Sequence, residues 1–185
     1  MIVQGPRGNT AVRVRPGGEE DLAELVRIYN HYVTETPITF DVEPMTVEQR
    51  RPWLAAHPGH GPHRLLVAEA GTGLAGGAGG EILGYATSSP FRPKPAYATS
   101  VETSVYLSPR HAGRGVGSLL YASLFEALAQ EDVHQALAGV ALPNEASERL
   151  HLRFGFQPVG VHREVGRKFG RFWDVAWFQK SLSAP

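Results

Sequence analysis

The chain has 185 residues, with 18 basic and 18 acidic side chains and a formal net charge of zero. Its length favours one compact domain, and its balanced charge argues against a broad electrostatic surface for nucleic acid or an anionic membrane. The chain contains no cysteine, which excludes disulfide bonds, thiolate metal sites and a thiol nucleophile.

The N-terminal residues and the apolar segments indicate a soluble, cytoplasmic protein. Residues 1–11 are mostly polar, lack the apolar segment of a secretion signal and are expected to form a flexible N-terminus. The longest uninterrupted run of apolar residues and glycine, residues 136–142, is far too short to cross a bilayer. We therefore expect a single domain over residues 1–185, with no membrane or nucleic-acid partner.

Strand-like and helix-like segments alternate in the first half of the chain. A short strand over residues 12–15 precedes a helix predicted over residues 20–33, where apolar side chains recur on one face. That face carries Leu22, Leu25, Val26, Tyr29, Tyr32 and Val33. Thr46 and Gln49 form a capping box, which predicts the start of a second, short helix.

Two strand-like runs, residues 64–70 and 81–88, flank a glycine-rich segment. The intervening residues 71–80 read GTGLAGGAGG, a composition typical of flexible connections, and we expect them to extend a surface hairpin. Three histidines lie close together just before the first run: His57, His60 and His63. The glycine and proline between them impose no fixed ligand geometry, so we expect no metal site there.

The second half of the chain begins with a segment whose residues alternate as in a strand, residues 97–107. In that strand Glu102 and Tyr106 share one side, whereas Val101 and Val105 face the other. The later predicted elements are a helix over 116–130, a strand over 135–142, a helix from Asn144 to Phe154 capped by Gly155, and a hairpin of strands 158–165 and 172–182. This mixture of strands and helices predicts an α/β or α+β class with a largely shared sheet.

The segment with the most chemical information runs from a strand end into a helix start, residues 108–118. Three alternate positions in it are glycines: Gly113, Gly115 and Gly117. Such a backbone can curl tightly and direct several N–H groups outward at the positive end of the helix, beside Arg110 and Arg114, which favours bound phosphate. The alternative is a glycine-rich turn that only starts a helix. The segment matches neither a P-loop nor a complete dinucleotide-binding fingerprint.

The order of these elements resembles the acetyl-CoA core of the GNAT acetyltransferase superfamily. The resemblance extends further towards one branch, the phosphinothricin (methionine sulfoximine) N-acetyltransferases, and covers about residues 12–182. The residues that carry it are Ile28–Val33, Phe40, Glu43–Pro44, Ser89–Arg92, Val101–Tyr106, Ala141–Ser147, Gly166–Gly170 and Trp173–Val175. Two features depart from that branch: the insert at residues 71–80, and Ala112, where the glycine motif commonly has glutamine or arginine.

This resemblance implies a GNAT fold, with a twisted, mixed and mostly antiparallel sheet that carries helices on both faces. The implied enzyme transfers the acetyl group of acetyl-CoA, its co-substrate, to the α-amino group of a small amino-acid analogue, by direct attack in a ternary complex and without a metal. The implied acceptors are phosphinothricin, methionine sulfoximine and methionine sulfone. The alternatives are another amine, such as a protein N-terminus or a polyamine, and a CoA-binding module without turnover.

The resemblance also implies which residues hold the co-substrate. These are Val105, Tyr106, Leu107, Gly113, Arg114, Gly115, Val116, Gly117, Ser118 and Asn144. Backbone N–H groups of residues 105–107 would polarise the acetyl carbonyl, unless they make ordinary strand hydrogen bonds. Asn144 would bind the pantetheine amide, although the same side chain suits the N-cap of a helix.

Three residues are candidates for proton transfer by the same resemblance. Glu102 is the candidate general base, directly or through water; its alternative is a strand carboxylate that is exposed or paired with an arginine. His151 lies at the position where many relatives carry the residue that protonates the departing thiolate. The alternative is a helix histidine that is only packed or solvated. Tyr106 is a second candidate donor, although a core or cofactor-packing role suits it equally.

The resemblance also implies that the acceptor binds near Phe40, Arg92, Lys94 and Tyr97, beside Glu102. Arg92 and Lys94 would receive a carboxylate or phosphinate while the aromatic rings enclose the aliphatic stem. The alternative is a solvated basic loop.

The C-terminal hairpin has two expected features. Residues 166–172, with three basic side chains, read as a charged hairpin tip. In similar proteins the neighbouring strands help to form a homodimer, so Trp173 and Trp177 are either core or interface residues.

Overall fold

The computed structural model describes residues 2–4, 11–71 and 80–182, and these ranges contain eight strands and four helices. The strands are β1 (Ile2–Gln4), β2 (Ala11–Pro16), β3 (Arg64–Ala70), β4 (Glu81–Pro90), β5 (Ser100–Leu107), β6 (Gln135–Ala141), β7 (Gln157–Lys168) and β8 (Arg171–Ser181). The helices are α1 (Leu22–Glu35), α2 (Val47–Ala55), α3 (Val116–Leu128) and α4 (Glu145–Arg153).

Two segments singled out in the sequence fall partly outside this description. Within the N-terminus that was expected to be flexible, residues 2–4 pair with β2 as strand β1, and residue 1 and residues 5–10 lie outside the described residues. Residues 72–79 of the glycine-rich insert also lie outside them.

All eight strands belong to one sheet, in the order β1-β2-β3-β4-β5-β6-β8-β7. Neighbouring strands are antiparallel except β5 and β6, which are parallel. That parallel pairing covers only Ser100–Glu102 and Gln135–Leu137. Beyond these residues the two strands are no longer paired, and a gap opens in the middle of the sheet.

Helices cover both faces of the sheet. Successive residues of a strand point to opposite sides, and on β3 both sides are apolar. On β3, Leu65 and Val67 belong to the core cluster of α1, whereas Leu66 and Ala68 belong to the cluster of α3. This arrangement confirms the predicted fold class. None of the helices in the described ranges is long and apolar enough to span a membrane.

The helix ends follow the predicted capping signals. Thr46 Oγ1 accepts a hydrogen bond from the Gln49 N–H at 3.2 Å, and Gln49 Oε1 accepts one from the Thr46 N–H at 2.8 Å. Asn144 Oδ1 accepts from the Ser147 N–H at 3.2 Å at the start of α4. Gly155, with a φ of 80°, follows the end of α4 in the left-handed conformation that glycine adopts without strain.

Two local predictions are wrong. Tyr97 does not begin a strand: residues Pro95–Tyr97 form a 3-10 turn and β5 starts at Ser100, because proline suits a first helical turn and cannot pair in a strand. The C-terminal hairpin turns through Phe169 and Gly170 alone, both with positive φ, as two-residue hairpin turns require. Gly166 to Lys168 therefore belong to β7, and Lys168 is buried rather than part of a charged tip.

An ion-pair network joins β2, β3 and the turn before α1. The Arg15 guanidinium donates to both carboxylate oxygens of Asp21 at 2.7 Å and to Glu69 Oε2 at 2.7 Å. Arg13 Nε donates to Glu69 Oε1 at 2.9 Å, and Glu69 is only 5% exposed. Burial alone would raise the pKa of Glu69, but the hydrogen bonds from Arg15 and Arg13 outweigh it and lower that pKa.

Replacing Glu69 by glutamine should therefore lower the free energy of unfolding by about 2 kcal/mol at neutral pH. The carboxylate stabilises the fold above the pKa of an unfolded-state glutamate, about 4.3, and this contribution is lost as the pH falls through the lowered pKa. Urea unfolding at several pH values measures the effect. Glu48→Gln removes an exposed pair with Arg51 and should cost less than about 1 kcal/mol; equal losses in both variants would contradict the prediction.

Candidate active site

The gap between β5 and β6 exposes part of the β5 backbone. The Ser108 N–H donates to the Leu83 carbonyl of β4 at 2.8 Å. Since successive N–H groups of a strand point to opposite edges, the N–H groups of Val105 and Leu107 point into the gap. The geometry therefore places two backbone donors where β6 has ceased to pair.

The glycine-rich turn leads from β5 to the N-terminus of α3. Gly113 and Gly115 have φ values of 74° and 81°, and a Cβ at either position would meet nothing within 4 Å. Gly115 is the N-cap of α3, which leaves the N–H groups of Val116 and Gly117 without a helical acceptor. A positive helix end with open space before it is suited to an anionic group such as a diphosphate.

The other predicted co-substrate residues lie around this turn. Arg110 and Arg114 are exposed beside it. Ser118 Oγ accepts a hydrogen bond from Arg153 of α4 at 3.4 Å. The Asn144 side chain forms the N-cap of α4 described above, which confirms its structural role, and its contact with the pantetheine amide stays a prediction.

A cavity of about 470 Å³ opens beside the gap. Its wall includes Phe40, Arg92, Glu102, Ser104, Tyr106 and Trp177. The strand alternation explains why Glu102, Ser104 and Tyr106 line it together. The sequence analysis did not assign four other wall residues to the site: Thr39, Ser104, His162 and Trp177. Thr39 and Ser104 are neighbours of predicted site residues, whereas His162 and Trp177 come from the distant C-terminal hairpin.

Glu102 has the environment of a proton acceptor. The side chain is partly buried in the cavity wall, and desolvation raises its pKa, whereas the positive charge of Arg92 opposes that rise. A carboxylate with a raised pKa binds a proton more readily than an ordinary glutamate.

Tyr106 lies between the cavity and an aromatic cluster. Its ring contacts Tyr29 and Tyr32 edge to face, each at a centroid distance of 5.2 Å, and packs against Tyr85 at 5.5 Å. Burial raises the pKa of Tyr106 far above neutrality. The side chain is therefore a neutral phenol with a proton to donate, and it also has a packing role.

His151 lies apart from this cavity, in the α3 face of the sheet, and is 5% exposed. Its Nδ1 is 2.7 Å from the Ser147 carbonyl, and its Nε2 is 2.8 Å from the Tyr121 hydroxyl. Burial lowers the pKa of His151. A neutral ring that donates through Nδ1 and accepts from Tyr121 satisfies both contacts. Tyr121, which is also 3.2 Å from the Thr103 hydroxyl, was not indicated by the sequence, and the catalytic role of His151 stays a prediction.

Two of the predicted acceptor residues lie outside the cavity wall. Lys94 and Tyr97 are exposed in the turn that follows Arg92. The Tyr97 ring contacts Phe91 edge to face at 5.8 Å, and the Arg92 guanidinium lies 4.6 Å from the centre of the same Phe91 ring. Arg92 thus reaches the cavity, whereas substrate contact by Lys94 and Tyr97 stays a prediction.

In the described ranges, no group of three histidine, aspartate or glutamate side chains is placed to hold a metal ion. His57 is buried instead. Its Nδ1 is 2.7 Å from the Trp53 carbonyl and its Nε2 is 2.8 Å from Ser89 Oγ. This residue therefore joins the end of α2 to the end of β4.

The chain is similar to known proteins in both sequence and fold. The Acetyltransferase (GNAT) domain family matches residues 15–177. The phosphinothricin N-acetyltransferase of Streptomyces coelicolor is 66% identical over 175 residues, which cover 95% of this chain and 99% of that protein. The L-methionine sulfoximine/L-methionine sulfone acetyltransferase of Pseudomonas paraeruginosa is 34% identical over 176 residues, which cover 93% and 98%. The solved phosphinothricin acetyltransferase of Sinorhizobium meliloti, in complex with AcCoA, has a TM-score of 0.84 and 28% identity, over 93% of this chain and 89% of that one.

Proposed function

The chain belongs to the GNAT acetyltransferase family, and we propose that it acetylates the α-amino group of a small amino-acid analogue of the phosphinothricin or methionine sulfoximine type. The observation that carries the proposal is the cavity that brings Glu102, Arg92 and Phe40 together beside the gap in the sheet. The names of the similar proteins support this acceptor class.

Acetyl-CoA supplies an activated acetyl group when it is bound. The glycine turn before α3 fits its diphosphate, because Gly113 and Gly115 leave open space in front of the helix N-terminus. The N–H groups of Val105 and Leu107 would stabilise negative charge on the acetyl oxygen. In the proposed mechanism the amine attacks directly within a ternary complex, and the chain has no cysteine that could form an acyl-enzyme.

The acceptor must lose a proton before its amine can attack. In the proposed role Glu102 accepts that proton, directly or through water, and its raised pKa suits the task. Arg92 would bind the carboxylate or phosphinate of the acceptor, since guanidinium groups match both in a bidentate manner. Phe40 and Trp177 would enclose the aliphatic stem. Tyr106 is the nearer of the two candidate donors to the cavity, and His151 is the other.

A homodimer is part of the same proposal, as is a cytoplasmic location. Strand β7 is the outermost strand at its end of the sheet. The hairpin of β7 and β8 has several exposed apolar residues. Among them are Val159 (58% exposed), Val161 (45%) and Phe172 (58%). An apolar edge strand is usually covered in a folded protein, and a second copy of the chain would cover this one.

The proposed function is tested by measuring CoA release from acetyl-CoA with a panel of amines. We expect turnover with phosphinothricin, methionine sulfoximine and methionine sulfone, and little with polyamines or peptide N-termini. Turnover confined to a polyamine or a peptide would replace the proposed acceptor class. Binding of acetyl-CoA without turnover of any amine would favour a CoA-binding module instead.

A further inference from the structure

The end of β7 carries a buried lysine that the proposed chemistry does not use. Lys168 is 4% exposed, although lysine is among the side chains least often buried. Its Nζ donates to the Thr39 carbonyl at 2.7 Å and to the Tyr32 carbonyl at 3.3 Å. Burial lowers the pKa of Lys168, and the negative charge of Asp41 opposes this shift. The ammonium group is thus held by backbone carbonyls that precede and follow the end of α1.

These contacts join the C-terminal hairpin to a short segment after α1, residues 36–41, here named the acceptor loop. Thr39 and Phe40 of this loop form part of the cavity wall. The carbonyl that Lys168 binds most closely belongs to Thr39 itself. A change in the hydrogen bond between Lys168 and Thr39 therefore acts directly on a residue of the cavity wall.

A second contact between the hairpin and the acceptor loop lies two residues away. A Cβ added at Gly166 would lie 2.5 Å from Cδ2 of the Phe40 ring and closer still to Cε2 and Cζ. Atoms at such separations overlap, so the ring rests directly on the β7 backbone at a position where only glycine leaves room. Phe40 of the cavity wall therefore packs on β7, the strand that also carries Lys168.

The acceptor loop has a third attachment, to α1. The Tyr29 hydroxyl is 2.8 Å from Thr39 Oγ1 and donates to Asp41 Oδ2 at 2.5 Å. Thr39 is therefore held by Lys168 and Tyr29, and Phe40 by its packing on Gly166. The contacts from Lys168 and Gly166 reach the loop from the far end of the chain.

We propose that Lys168 is a positioning residue for the amine acceptor: by holding the Thr39 carbonyl it keeps the Phe40 wall in place and so sets acceptor affinity. It acts without touching either the acceptor or acetyl-CoA. This inference rests on the proposed function for its effect on catalysis, but the hold on the acceptor loop is a property of the protein alone.

Lys168→Met, which keeps most of the apolar stem and removes the donors, tests the proposal in two ways. In the free protein, hydrogen exchange should accelerate at Ile38 and Asp41, whose N–H groups donate to the hydroxyls of Thr36 and Thr39. In steady-state assays the KM for the best acceptor should rise about tenfold, with kcat and the KM for acetyl-CoA within about twofold, as for a lost binding contact. Lys168→Arg should recover much of both effects because it retains donors.

A second pair of variants covers the case in which Lys168→Met does not fold. Gly166→Ala should displace the Phe40 ring and raise acceptor KM, whereas Gly160→Ala, on the same strand with nothing within 4 Å of its Cβ, should change nothing. Unchanged exchange in the acceptor loop, or equal losses of acceptor and acetyl-CoA affinity, would overturn the proposal. A wild-type protein that acetylates no amine would instead refute the proposed function, and the exchange data would still decide whether Lys168 holds the loop.

Discussion

Glu102→Gln should lower kcat for amine acetylation about a hundredfold or more, the usual range for loss of a general base. The amide is nearly the same size as the carboxylate, so the cavity keeps its shape, but it cannot accept the proton of the attacking amine. Acetyl-CoA affinity should stay within about twofold, because the glycine turn that fits its diphosphate lies at the other end of β5.

The pH dependence of kcat/KM gives this prediction its sharper form. In the wild type the rate should rise with pH as Glu102 loses its proton, and because burial raises the pKa of Glu102, this limb should lie above the ordinary glutamate range of about 4.3. In Glu102→Gln that limb should vanish and leave only the titration of the amine. Glu126→Gln, an exposed glutamate on α3, is the matched control. A parallel loss of rate at every pH, with the limb retained, would refute the role of Glu102 as base.

Gly115→Val should weaken acetyl-CoA binding about tenfold or more. A valine at a φ of 81° is strained, and its branched side chain would enter the open space before α3 where the diphosphate is proposed to lie. Each hydrogen bond between a backbone N–H and a phosphate contributes about 1.5–3 kcal/mol, so displacement of one contact accounts for the expected loss. Isothermal titration with acetyl-CoA measures it directly.

The control for backbone strain is Gly61→Val. Gly61 has a φ of 78° and nothing within 4 Å of its Cβ, as at Gly115, but it lies in the loop before β3. Both variants should lose similar stability, about 1–2 kcal/mol, and only Gly115→Val should lose affinity for acetyl-CoA. Equal affinities in the two variants would remove the glycine turn from the binding site.

Local periodicity is sufficient to predict much of the fold. The alternation of residues in β5 puts Glu102 and Tyr106 on one side of the strand, and both side chains line the cavity. Asn144 and Gly155 mark the ends of α4, because capping depends on only a few neighbouring residues. These features are local, and the sequence carries them within a few positions.

The parts that sequence reasoning missed depend on long-range packing. Lys168 stands among basic residues beside a glycine turn and has the local pattern of an exposed tip, yet its partners lie 129 and 136 positions away. Tyr121 and His151 meet only because α3 and α4 pack on the same face of the sheet. No local pattern specifies that two such segments come together.

The short pairing between β5 and β6 also bears on how the two halves of the sheet are joined. In the described sheet, β6, β8 and β7 pair with the other five strands at three positions of β5 and β6. Further links come from side-chain packing and from a few hydrogen bonds, such as those of Lys168 and Thr103. A molecule bound along the gap would bridge the two halves and add contacts that the unfolded chain lacks. Acetyl-CoA would then raise the thermal midpoint of unfolding and make the two halves melt as one cooperative unit.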